Sequence, residues 1–473
     1  MPLPIICANQ ALCQFVAAFA KHFSKPQQKY FVTVLLALLL CQERRTLTAL
    51  LRRILDARSL SGLSRFFARA PWPQEEVAQT WRERFNAQVQ PLVILAHRSQ
   101  AAKRPKKRGR PQATVVTGYL LLDDSTHPKR KGRKMEGVGK HYSSTQQCQV
   151  LGHSLFQALY VLLGRQCPLP PQMYCTKSVC EKEKKPFQSK IEMAVNTILA
   201  FVAAEQTHTH VLADSWFACS KLWSACRKRG FEISGGLKCN RTLRTKDAEG
   251  KVTYVRLSEY AASLTADDFT ECVWPSAAGG NPVFVHRVRT LVRKLGACQV
   301  LIVRPSAEAS LKQTRYFVSS LLEADTQTLL EVLSIRWKIE TFFDDLQGTL
   351  RQRPLSDDEP KEHSTVLDAG LLCLSVFGGA TCRAWNGRLF DRHGSSSDRE
   401  RTPTPPPGVA TTKFSERQRP ARNDREACRM KSARIVMFVS RGTIVLCSSR
   451  DPNDRNSLIA DILLHSKKRQ EPV

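Results

Sequence analysis

The stretch that decides the fold is VVTGYLLLDDST, residues 115–126. Val115 to Leu122 is rich in β-branched, aromatic and aliphatic residues, and it ends abruptly on Asp123, Asp124 and Ser125. Such a run reads as a strand that delivers carboxylates to a sheet end. Strand ends of an α/β sheet open onto the crevice where ligands collect. A second run of the same kind, His208 to Ala213, ends on Asp214.

Working outward, Gln149–Leu155 and Ala158–Leu163 read as two further strands separated by a short turn. Phe187–Ala204 has helical periodicity through Ile191, Val195, Ile198, Leu199 and Val202. Ser215–Arg229 reads as a helix stopped by Gly230. The order is three strands, a helix, a strand and a helix. Residues 231–325 return to short strand-like pieces (Lys251–Leu257, Val283–Arg289, Gln299–Val303, Thr314–Ser319), punctuated by Gly279, Gly280 and Pro282. A strong helix is expected over Thr326–Leu350, with Leu329, Leu333, Trp337, Phe343 and Leu346 on its apolar face.

Before the strand, the first hundred residues read as helical. Ser24 and Pro26 mark a helix start, Leu47, Leu50, Leu51 and Ile54 recur at helical spacing, and Leu63, Phe66 and Phe67 oppose Arg65 and Arg69. Another helix begins near Gln74 with Val77, Trp81 and Phe85. Two short helices about a turn fit either a helix-turn-helix or a plain bundle. The apolar run Tyr30–Cys41 is too short for the ~20 residues that span a bilayer, so the chain reads as having no membrane segment.

The chain has 473 residues, 72 Lys and Arg against 42 Asp and Glu, and a net charge of +30. That imbalance argues against an ordinary metabolic enzyme and for a polyanionic partner, namely nucleic acid. Residues 103–111 (KRPKKRGRP) are all basic or breaker residues and form a linker. Lys106, Arg108 and Arg110 there are candidate phosphate ligands, and Arg108-Gly109-Arg110-Pro111 fits an AT-hook or a plain basic linker. Lys129, Arg130, Lys131 and Arg133, just past Asp124, form a second candidate grip on phosphates. The 16 cysteines are scattered and include no CxxC pair, so they read as free thiols in a reducing compartment.

Alone, each acidic residue has an ordinary explanation. An Asp after a strand is usually a turn former or helix cap, as Asp214 could be, and a helical Glu is usually solvated. Their order on this pattern points elsewhere. Converging carboxylates need a cation between them, and hard oxygen ligands suit Mg²⁺ or Mn²⁺.

The local sequences sharpen this. Leu120–Thr126 with Pro128, Lys129 and Gly132 resembles the first-aspartate strand of insertion-sequence DDE transposases. Val211–Phe217 is similar to their second-aspartate segment, and Ile335–Phe343 resembles the Arg-Trp-x-Ile-Glu-x-Phe-Phe segment of the cut-and-paste branch with a β-strand insertion. His22–Trp72 is similar to that branch's helical leader, so the resemblance runs from about residue 15 to about residue 350.

The resemblance implies an α/β fold with an RNase H-like catalytic core, an all-α N-terminal domain and a β-rich insertion. The corresponding segments are 1–100 (DNA-binding helices), 101–114 (linker), 115–230 (core), 231–325 (insertion), 326–380 (core helix with the catalytic Glu) and 381–473 (a disordered or frameshifted tail). It implies catalytic, metal-binding Asp124, Asp214 and Glu340, with Asp123 as the fallback for the first, and two Mg²⁺ or Mn²⁺ ions. It also implies that Arg336 holds DNA, one helical turn before Glu340.

Expected partners are double-stranded DNA, as element ends and target, and a second copy of the chain on that DNA, in the cytoplasm at the nucleoid. The expected chemistry is 3′-end nicking, hairpin formation and opening, and strand transfer, with Trp274 as a candidate inserted aromatic. The chain departs from the branch signature Tyr-x2-Arg-x3-Glu-x6-Lys at Leu333 and Gln347. A repurposed DNA-binding protein and an RNase H-type nuclease are the competing readings.

Overall fold

The computed structural model describes residues 10–40, 48, 51–52, 59–71, 73–102, 115–129, 135–143, 146–246, 250–276, 279–351, 434–440 and 443–449. The chain divides into two units, Met1–Gly394 and Ser395–Val473. In the second, Arg434–Ser440 and Thr443–Ser449 pair as antiparallel strands. The rest of the segment expected as a disordered or frameshifted tail lies outside the described residues.

Among the described residues the first unit opens with helices α1 (Gln10–Ala17), α2 (Lys25–Leu40), α3 (Leu60–Arg69) and α4 (Gln74–Ala102). An aromatic core joins the first three. The ring of Phe31 lies 5.8 Å from Phe19 and 4.7 Å from Phe23, and Phe23 lies 6.4 Å from Phe66. Ser59 caps α3, its hydroxyl accepting from the Gly62 N–H at 3.1 Å. Most of 41–58 lies outside the described residues, including Leu47, Leu50 and Ile54, and with them the helix-turn-helix alternative. Helix α4 ties this bundle to the sheet. Trp81 Nε1 donates to the Pro168 carbonyl at 3.3 Å, and Phe85 packs edge-on against Tyr160 at 5.8 Å.

Among the described residues the sheet has 13 strands. Its first part comprises β1 (Val116–Pro128), β2 (Gly139–Ser143), β3 (Cys148–Leu162), β4 (Arg165–Pro168), β5 (Gln172–Tyr174), β6 (Thr207–Ala213) and β7 (Glu232–Gly236). The rest is β8 (Thr242–Lys246), β9 (Val252–Arg256), β10 (Thr270–Trp274), β11 (Asn281–Val292), β12 (Gly296–Arg304) and β13 (Arg315–Ser319). The order is β2-β3-β1-β6-β7-β13-β12-β11-β8-β9, with β4 and β5 on β3 and β10 on β11. Strand β1 runs antiparallel to β3 and parallel to β6, and β6 runs parallel to β7. Leu120, Leu121 and Leu122 are fully buried, as a central strand covered on both faces requires. The strands of 231–325 continue the same sheet through the β7–β13 pairing.

Three elements differ from the sequence reading. The two expected strands are one, β3 (Cys148–Leu162), and buried Gln157 is satisfied inside it, donating to the carbonyls of Ala158 (2.6 Å) and Leu169 (2.7 Å). The turn comes later, at Leu163 and Gly164, both with positive φ, which suits a two-residue hairpin. The helix expected from Ser215 begins as a 3-10 turn, Ser215–Phe217, and becomes α-helical only over Ser220–Lys228.

The long helix expected over 326–350 is broken at Arg336. The bonds Arg336 N to Leu333 O and Ile339 N to Arg336 O close tighter i→i+3 turns there. The helices in this half are therefore α5 (Lys177–Glu183), α6 (Lys190–Ala200), α7 (Ser220–Lys228), α8 (Leu257–Ala262), α9 (Thr326–Ile335) and α10 (Trp337–Arg351). No described helix is long and apolar enough to cross a membrane.

Candidate active site

Successive side chains on a strand point to opposite faces, so Asp123 and Asp124 part company at once. The parallel register pairs Leu122 with Ala213, which brings Asp123 level with Asp214, the next residue of the neighbouring chain segment. Arg336, at the break between α9 and α10, reaches the same place. Its guanidinium lies 3.9 Å from Asp123 Oδ2 and donates to Glu340 Oε1 four residues along. Asp123 within β1, which runs on to Pro128 rather than ending at the aspartates, thus meets Asp214 after the end of β6 and Arg336, with its partner Glu340, from the helix junction.

Asp124 faces the other way. Lys190, the first residue of α6, donates to Asp124 Oδ2 at 2.5 Å and lies 5.0 Å from the centre of the Tyr174 ring. Lys190 is placed there by a capping box in which the Ser189 hydroxyl accepts from Glu192 N and Glu192 accepts from Ser189 N. Asp124 was expected beside Asp214 and Glu340; it pairs with Lys190, and the aspartate beside Arg336 is Asp123.

Burial pushes the Asp123 carboxyl up to about 7, and the nearby charges of Asp124 and Asp214 add to the rise. The Asp124 N–H, donating to Asp123 Oδ1 at 2.8 Å, and the Arg336 cation work against it without cancelling it. On the Asp124 side, His141 is pulled down to about 4 by burial and by Lys190.

Asp214 stands exposed at the end of β6. Its side chain makes no cap hydrogen bond to the 3-10 turn that follows, so the ordinary helix-cap explanation does not account for it.

The cationic residues singled out in the sequence fare unevenly. Lys129 is buried at the end of β1, its N–H donating to Leu151 O at 2.7 Å, so it is not a surface cation. Arg130, Lys131, Arg133, Lys106, Arg108 and Arg110 lie outside the described residues, as does the side chain of Gln347. Leu333, at the signature's tyrosine place, is a buried core residue. Trp274 packs on Phe317 at 5.3 Å, part of a small core with Leu329 and Leu330.

Two residues went unnoticed in the sequence. Lys190 had a signal, the Ser189-x-x-Glu192 capping pattern that fixes where its helix starts. Trp216, two residues after Asp214, had none beyond that proximity.

Among the described residues, no group of three His, Cys, Asp or Glu side chains is gathered as a metal site. The donor chemistry nonetheless fits a hard divalent cation. A half-buried carboxyl whose proton affinity is raised by burial, and further by two carboxylate neighbours, is a site short of positive charge.

The profile of the DDE superfamily endonuclease family matches residues 18–256, half of the 473-residue chain. The chain belongs to the DDE superfamily endonuclease family. No curated protein matches it. The matched span of this DDE superfamily endonuclease contains both β1 aspartates and Asp214; Arg336 and Glu340 fall beyond it. Membership implies a nuclease or transposase, with DNA as its substrate.

Proposed function

We propose that this DDE superfamily endonuclease is a transposase that cleaves DNA at the ends of a mobile element and joins them to a target. Asp123, Asp214 and Glu340 act as its acidic triad. The observation that carries this reading is the register of β1 and β6, level at Asp123 and Asp214, with Arg336 bringing Glu340 to the same carboxylate. The antiparallel β3–β1 pair beside parallel β1, β6 and β7 supports an RNase H-like core. The strands of 231–325, continuing that sheet, support the β-insertion branch that cuts and pastes.

Asp123, Asp214 and Glu340 would hold Mg²⁺ or Mn²⁺, which supplies activation of a water or 3′-hydroxyl and stabilisation of the leaving oxygen. Asp123 must be ionised for this, so its high proton affinity keeps the site silent in acid. Arg336 favours the ionised form of Asp123 and anchors Glu340, fixing two of the three carboxylates at once. The net charge of +30 serves the phosphate backbone, two copies of the chain holding the two element ends.

Incubation with a supercoiled plasmid carrying the element ends tests the reading. Nicking at the ends that requires Mg²⁺ or Mn²⁺ supports it. Cutting without end preference favours a general nuclease, and binding without nicking favours a repurposed DNA-binding protein. The replacement of the signature tyrosine by buried Leu333 is the observation on the latter's side.

A further inference from the structure

Trp216 is 57% exposed, although tryptophan is ordinarily among the most buried side chains on average. Its position is not a matter of a loose loop. Phe217 and Ala218 beside it are buried, and Phe217 packs on Phe156 of β3 at 5.9 Å. Arg241 donates to the Ala218 carbonyl and ties the turn to the segment after β7. Lys238, on that segment, places its ammonium 4.8 Å from the centre of the Trp216 ring. Lys238 is exposed, and its neighbour Leu237 is buried, with its N–H donating to Tyr316 O at 2.8 Å. An exposed indole with a cation over one of its faces, both held by buried neighbours, stands two residues from Asp214.

We infer that Trp216 and Lys238 form a stacking site for an unpaired nucleobase at the mouth of the carboxylate site. The indole face opposite Lys238 stacks on any base, and the ammonium over the other face suits that nucleotide's phosphate. Within an intact duplex each base face is covered by its neighbour, so the site selects a base at an end or a frayed position. Trp216 is a positioning residue, holding the nucleotide beside the phosphate that Asp214 serves. In that respect the inference rests on the proposed function; the stacking itself does not.

The test uses the full chain in EDTA, so that binding is read without cleavage. The probes are a duplex with a three-nucleotide overhang carrying 2-aminopurine and a blunt duplex of equal phosphate number. The overhang should bind about tenfold more tightly than the blunt duplex, with its fluorescence quenched. Trp216→Ala should abolish both the preference and the quench, Trp216→Phe should keep part of each, and Lys238→Gln should weaken overhang binding. A thermal midpoint for each variant shows that it is folded.

Unchanged preference and quench in Trp216→Ala would overturn the inference. So would a quench that instead follows Trp337→Ala, or no binding to either duplex. Plasmid nicking with Mg²⁺ separates the two readings. Nicking without a Trp216-dependent quench sinks the stacking site alone, and a Trp216-dependent quench without nicking sinks the transposase reading alone.

Discussion

The Arg336 guanidinium lies 3.9 Å from the Asp123 carboxylate while donating to Glu340, so one cation from a break between two helices holds a strand aspartate and a helix glutamate together. Its place at that break follows from the tightened turns around residue 336. A straight helix over 326–350 would give Arg336 a different approach.

The first prediction separates the neighbouring aspartates. Asp123→Asn should lower end-specific nicking by about 10²-fold or more, the scale for losing one charged group aimed at the reacting centre. Asp124→Asn should leave nicking within roughly fivefold and cost about 1 kcal/mol of stability by weakening its bond to Lys190. Nicking rates and urea midpoints of both variants decide it, and the reverse order of rates would return the catalytic role to Asp124.

A second prediction concerns pH. Asp123 is raised to about 7 in the folded protein from the usual carboxylate range. Between the unfolded and folded values the native state therefore binds the extra proton. The metal-free protein should lose stability as pH rises through this window, reaching the full loss above about 7. Asp123→Asn removes that dependence, so its thermal midpoint in EDTA should exceed the parent's at pH 8 and match it at pH 4. Added Mg²⁺ should narrow the gap at pH 8 by stabilising the parent alone.

Arg336→Ala should push Asp123 higher still, since the guanidinium is the charge that favours its ionised form. Nicking that rises with pH through about 7 in the parent should need a more alkaline pH in the variant. A pH profile displaced to the acid side would refute the assigned role.

Glycine at 235 is a steric requirement of the site. A Cβ there would lie 2.1 Å from the Ala213 carbonyl, on the strand that ends at Asp214. Gly235→Ala should cost about 1–3 kcal/mol by overpacking and displace Asp214, so stability and nicking should fall together.

Helix α4 carries the last prediction. Phe85→Ala removes a buried ring packed on Tyr160 and should cost about 3–5 kcal/mol in urea denaturation. A loss well below that would mean that α4 docks on the sheet by its other contacts.

The sequence by itself determined a good deal. The apolar runs before Asp123 and before Asp214 specify strands by composition, and the strands of 251–257, 283–289, 299–303 and 314–319 were legible from β-rich runs between breakers. Ser24 and Pro26 announced the start of α2 because helix-start signals are local. Local chemistry could not decide between Asp123 and Asp124. Adjacent residues share one sequence environment, and only the pleat of β1 and its register with β6 send one toward Arg336 and the other toward Lys190. The break at Arg336, the buried Gln157 inside β3 and the exposed Trp216 belong to the same class. Each depends on which distant groups meet in space, and a list of residues does not carry that information.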